Sequence, residues 1–221
     1  RGLTVPSVIT LIGWMDAEGE ARTDVLAECR RRMVQAAAVG SPRIVATPAA
    51  IRQPAWFHLD LELAAARYRE LLEMGADLGV KPTMEFLGFC ASVYELEQAH
   101  AIVELADHPD AALVLDPFHI WRGGSSFKRV KAIPASQVGI CHFNDAPADH
   151  PPKFEQLDAD RVYPGDGCLP LVQMLKDLVG NGYDGALSLE LFRPAYWDLP
   201  VEKNIRLGLA KTREVLDAAG L

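Results

Sequence analysis

Thiols are scarce in this chain, and basic residues are outnumbered. The 221 residues hold four cysteines, Cys29, Cys90, Cys141 and Cys168. No two are close enough to form a CxxC pair, and scattered single thiols fit a reducing compartment, so a cytoplasmic protein is expected. Lysine and arginine number 22 against 30 acidic residues, a formal charge of −8. An acidic balance argues against nonspecific nucleic-acid binding, which runs on phosphate neutralisation. No apolar run is long enough to span a bilayer and no leader pattern is visible, so no membrane partner is expected. A glycine-rich phosphate loop is missing too: "GGSS" (123–126) lacks the lysine and the spacing. There is no internal repeat, low-complexity segment or linker, so residues 1–221 read as one domain. The chain opens on Arg1 rather than Met, and residues are expected to precede it.

What is present is an ordinary soluble composition, 49% hydrophobic and 24% charged. Short apolar runs rich in β-branched residues alternate with longer segments of helical spacing. Strands are expected over 3–12, 43–47, 81–89, 111–119, 137–145 and 185–192. Helices are expected over 19–39, 59–78, 93–106, 126–133, from about 169, and over 200–218. Regular βα alternation with apolar strands predicts a parallel sheet covered by helices. The choice lies between an open doubly wound sheet and a (βα)8 barrel.

Chemistry concentrates at strand ends. Glu190 stands in "LSLELF", where a lone buried carboxylate would cost several kcal/mol. Glu85, Asp116 and His142 occupy matching positions on the three preceding strands. Any one of them alone would ordinarily be a polar group facing water, and His142 alone an ordinary core histidine. Recurrence on four successive strands weakens that reading. In a barrel the C-terminal strand ends converge on one site. Three carboxylates gathered there repel one another unless a cation joins them, and a divalent ion removes the penalty while acting as a Lewis acid.

Five stretches carry a resemblance: "MEFLGF" (84–89), "LVLDPFHIWRGGS" (113–125), "HFNDA" (142–146), "DRVYPGDG" (160–167) and "SLELFRPAYW" (188–197). Together they resemble the xylose isomerase-like TIM-barrel superfamily of sugar isomerases and epimerases, and within it the inosose (2-keto-myo-inositol) isomerases. The resemblance implies a (β/α)8 barrel whose first two βα units, roughly 50–60 residues, are missing from this chain. It implies that Glu85, Asp116, His142 and Glu190 bind one divalent ion. A set of oxygens with one imidazole independently suits Mn²⁺ or Zn²⁺, with Co²⁺ and Mg²⁺ as further choices. The implied reaction is isomerisation or epimerisation of an α-hydroxyketone, a ketose or inosose, through an enediolate. Glu85 and Glu190 are then the acid/base pair, and His119 binds substrate oxygens. Arg161 is assigned either to substrate or to an ion pair with Asp145, and Trp14 and Trp121 to the walls of the sugar pocket; solvated-loop and simple packing roles weigh as much for these three. Arg193 and Tyr196 are expected to bridge loops. One departure touches the substrate: Trp121 in "FHIW" stands where inosose isomerases tend to carry a second histidine.

Three rivals share the pattern. Dehydroshikimate and inosose dehydratases use similar barrels to eliminate water. Apurinic-site endonucleases need more metal ligands and a basic face, and His58, His100, His108 and His150 do not fall at strand ends. A non-catalytic sugar-binding barrel is the third. Six strands also leave two sheet edges open, through which a homo-oligomer could pair.

Overall fold

Six short strands lie side by side in chain order, every neighbouring pair parallel. The structure is a computed structural model and describes residues 2–48 and 59–221; His58 lies outside the described residues. The strands are β1 (Val8–Leu11), β2 (Arg43–Ala46), β3 (Lys81–Met84), β4 (Leu113–Leu115), β5 (Val138–Phe143) and β6 (Leu187–Leu189). The helices are α1 (Gly19–Ala38), α2 (Leu61–Ala76), α3 (Leu96–Leu105), α4 (Pro117–Gly123), α5 (Leu171–Gly180), α6 (Pro194–Trp197) and α7 (Val201–Ala219). This is six-eighths of a (βα) barrel, with β1 and β6 each unpaired on one side among the described residues. No helix among the described residues is long and apolar enough to cross a membrane.

Most of the core lies between sheet and helices, with Leu71, Leu72, Ile102 and Leu113 fully buried. A second cluster, Val45, Val114 and Ile140, is separate and lines the barrel interior. Side chains two residues apart in a strand share a face. Each of these residues therefore sits one pleat below a polar one: Thr47, Asp116 and His142. The interior cluster is the floor of the site.

Local sequence explains where the strands stop. Asp116 caps α4: its Oδ1 accepts from the backbone N–H of Phe118 (2.8 Å) and His119 (3.2 Å), and Pro117 takes the first helical turn. The fourth strand was expected to run to 119, but this cap turns the chain into a helix after Leu115. The segment expected as a helix near 126–133 is a 3-10 helix, Phe127–Ala132. The sixth strand was expected to be buried; as an edge strand it leaves Leu189 exposed. Gly88 allows the loop after β3 to press on α4, since a Cβ there would lie 2.6 Å from Gly123 N and 2.7 Å from His119 O. That contact brings Gly88 N–H to His119 Nδ1 at 3.3 Å.

Candidate metal centre

Glu85, Asp116 and Glu190 are each the first residue beyond their strand, and His142 is the penultimate residue of β5. The barrel collects them: one oxygen or nitrogen from each lies within 4.8 Å of all the others. Among the described residues this is the one group of three or more such side chains so placed. Glu85, Asp116 and His142 are buried, and Glu190 is 18% exposed at its side chain. His142 Nδ1 lies 3.1 Å from Glu85 Oε1 and 3.1 Å from Glu190 Oε2. Asp116 Oδ2 accepts from Asn144 Nδ2 at 3.1 Å.

Arg161 enters the same cluster, almost fully buried. Its Nη1 lies 2.6 Å from Glu190 Oε2 and 3.1 Å from Asp116 Oδ2. Its Nη2 lies 2.7 Å from Asp158 Oδ1 and 2.9 Å from His119 Nε2. The guanidinium carbon is 5.1 Å from the Phe118 ring centre and 5.7 Å from that of Phe192, within cation–π reach of both. The alternative pairing of Arg161 with Asp145 does not form. Asp145 instead accepts from the backbone N–H groups of Ala146, Gly165, Gly167 and Leu169 at 2.8–3.1 Å. It pins the "YPGDG" turn that follows Arg161, and so holds that residue's backbone rather than its charge.

Protonation follows the geometry. Burial works against a charged His142, but the Glu190 and Glu85 carboxylates outweigh it and raise the imidazole to about 10. Burial raises Glu85, with the His142 hydrogen bond opposing. The same burial acts on Glu190, yet His142 and Arg161 win and hold it at about 2. Burial lowers His119 to about 3, with Arg161 adding to it against the pull of Asp116, so this imidazole is neutral. A neutral imidazole donates at one nitrogen and accepts at the other. Both nitrogens of His119 face N–H donors, Gly88 and Arg161, so one contact sets donor against donor. An oxygen arriving beside His119 Nε2 would relieve it.

The cavity above the cluster, about 160 Å³, is lined also by Thr10, Thr47, Leu87 and Phe192. Thr47 ends β2 as the ligands end their strands, and the same strand-end rule finds it. Asn144, the first residue beyond β5, carries the same mark, whereas Asp158 carries none.

The two tryptophans stand elsewhere. Trp14 is wholly buried, donates to Thr47 O at 2.7 Å, packs on Tyr68 in the core and is not among the described residues that line this cavity. Trp121 packs against Phe118 beneath the Lys153 ammonium and does not line the cavity. The bridging expected of Arg193 and Tyr196 is present: Arg193 donates to Asp160 O, and Tyr196 stacks on Tyr163 at 4.2 Å. His100 and His108 lie off the site, bonded to Gln137 and Asp110.

The residues suit a divalent ion on their own chemistry. Three carboxylates and an imidazole converge from four strands, and in this structure two cationic side chains neutralise the carboxylates. Comparison with known proteins agrees with the frame. The family model described as xylose isomerase-like TIM barrel matches residues 1–215. An inosose isomerase of Halalkalibacterium halodurans is 34% identical over 194 residues, 87% of this chain and 68% of that protein. A 3-dehydroshikimate dehydratase of Pseudomonas aeruginosa is 31% identical over 161 residues, 70% of this chain and 25% of the dehydratase. A solved structure, the IOLI protein with a binding zinc atom, superposes with a TM-score of 0.84 at 27% identity, covering 96% of this chain and 76% of that one.

Proposed function

We propose a reaction from one premise: this chain belongs to the xylose isomerase-like TIM barrel family. The reaction is isomerisation or epimerisation of an α-hydroxyketone of a sugar or polyol, with an inosose as the favoured substrate. The observation that carries it is the convergence of Glu85, Asp116, His142 and Glu190 within 4.8 Å, with two glutamates among them. These four residues would hold the divalent ion. Once bound, it would supply Lewis-acid polarisation of the substrate's carbonyl and hydroxyl oxygens. Zinc or manganese is the favoured ion, and the zinc-bound IOLI structure supports zinc.

The protein's own residues then divide the work. Glu190, paired with Arg161 at 2.6 Å, is the glutamate assigned to accept the proton from the carbon next to the carbonyl. The electron pair left behind moves onto the carbonyl oxygen, giving an enediolate. The second glutamate of the group, Glu85, would return a proton to the opposite face of the same carbon in epimerisation, or to the neighbouring carbon in isomerisation, where the hydroxyl proton also passes to the former carbonyl oxygen. His119 and Arg161 present N–H groups to the substrate's oxygens, and Phe192 shields the cavity from water.

The test pairs metal content by mass spectrometry with deuterium exchange next to the carbonyl, across ketoses and inososes. Exchange without loss of water supports the proposal; a metal-loaded protein that exchanges none of them refutes it. A dehydratase reading stands second, because of the likeness to the dehydroshikimate enzyme. It shares the proton abstraction but adds loss of a β-hydroxyl, visible as ultraviolet absorbance of an unsaturated product.

A further inference from the structure

Arg161 poses a problem for a metal centre. Its Nη1 touches oxygens of Glu190 and Asp116, and both are ligand candidates. A guanidinium and a divalent ion compete for the same carboxylate lone pairs. The planar fork could also take both carboxylates, one with each arm, and close the site to an ion. In the structure only one arm does so.

The other arm is occupied. Nη2 lies 2.7 Å from Asp158 Oδ1, and Asp158 stands three residues before Arg161. The contact is an ion pair rather than a well-aligned hydrogen bond: neither Asp158 Oδ1 nor Arg161 Nε has a hydrogen-bond partner of proper geometry. The attraction is therefore charge on charge. The neighbouring Asp160 turns the other way, its Oδ2 accepting from Leu157 N at 2.9 Å, and no ion pair joins it to Arg161 among the described residues. The turn carrying Asp158 is anchored from the other side by Gln156, fully buried, whose amide donates to Pro147 O and Pro151 O.

We propose that Asp158 is a positioning residue that holds Arg161 by its second arm, keeping the guanidinium from closing on the ligand carboxylates and so leaving the centre open to a metal ion. This inference rests on the metal-centre reading above. It predicts that Asp158 governs ion affinity through Arg161, not as one more distant negative charge. Removing an outer-shell partner of a metal ligand ordinarily costs about 10–100-fold in affinity.

The experiment is a four-corner comparison on the full chain stripped of metal: wild type, Asp158→Asn, Arg161→Gln and the double variant. Each is titrated with Zn²⁺ and with Mn²⁺ against a chromogenic chelator, with circular dichroism to verify folding. The expected result is that Asp158→Asn weakens binding by about 10–100-fold, and that the same change weakens it less than about threefold when Arg161 is already Gln. Asp158→Glu, which restores the charge, should recover affinity. Asp158→Ser is the second variant should Asp158→Asn not fold; its side chain is 36% exposed, so substitution is tolerable. Unchanged affinity in a folded Asp158 variant overturns the proposal. So does equal weakening with and without Arg161, or an Asp158→Glu variant as weak as Asp158→Asn. A wild-type protein that binds neither ion removes the metal-centre reading itself, a different failure from the other three.

Discussion

His142 Nδ1 stands 3.1 Å from Glu190 Oε2, close enough that the two behave as one titrating unit. Without an ion the imidazole is held protonated by that glutamate and by Glu85. An ion must expel the proton before it can use the nitrogen.

Metal affinity should therefore rise with pH. Between pH 6 and 8, about tenfold per unit is expected, one proton being released per ion. Calorimetry in buffers of different ionisation enthalpy counts that proton. The metal-free fold has the opposite trend on the alkaline side. With His142 raised from 6.5 to about 10, its contribution to stability is complete below about 6.5 and lost as pH climbs toward 10. Glu190, lowered from 4.5 to about 2, contributes above 4.5 and fails as pH falls toward 2. Thermal melts of the stripped protein from pH 2 to 10 would display both limbs.

Glu190→Gln should reduce deuterium exchange next to the carbonyl by ~10²–10⁴-fold, the usual range for losing a positioned base, with little change in fold. Wild-type exchange rates in that variant end the assigned role.

Asp145→Ala tests the anchor beneath Arg161. Four backbone N–H groups lose their acceptor, and a cost of about 2–4 kcal/mol is expected at roughly 1 kcal/mol per bond. The melting temperature should fall, and KM should rise as Arg161 loses its fixed backbone.

Trp14 and His119 should separate cleanly. Trp14→Phe strips the hydrogen bond to Thr47 O and should cost about 1–2 kcal/mol with exchange kinetics intact. His119→Gln should leave stability near wild type and raise KM. A Trp14→Phe variant that raises KM at unchanged stability would return this side chain to the pocket.

The alternation of apolar runs made six strands legible, and the strand-end position of Glu85, Asp116, His142 and Glu190 made the centre legible, because a barrel imposes one rule on every strand. For Trp14 the sequence left pocket wall and core packing open, because an aromatic near a strand end looks alike whether it faces sugar or core; its burial and its hydrogen bond to Thr47 favour the core. Strand lengths were overestimated where a polar cap cuts an apolar run, as Asp116 and Pro117 do in "LVLDPFH". Asp158 escaped notice because its partner, three residues on, is selected by the folding of a loop and not by any periodic pattern.

The cap at Asp116 has one more consequence. Oδ1 accepts from the opening turn of a helix, while Oδ2 accepts from Asn144 and faces Arg161, so this carboxylate is held at both oxygens. The direction of this candidate ligand is set by the cap and by Asn144. Lengthening the side chain to glutamate would unseat the helix start and displace the candidate ligand together, so folding and the candidate centre depend on one side chain at this position.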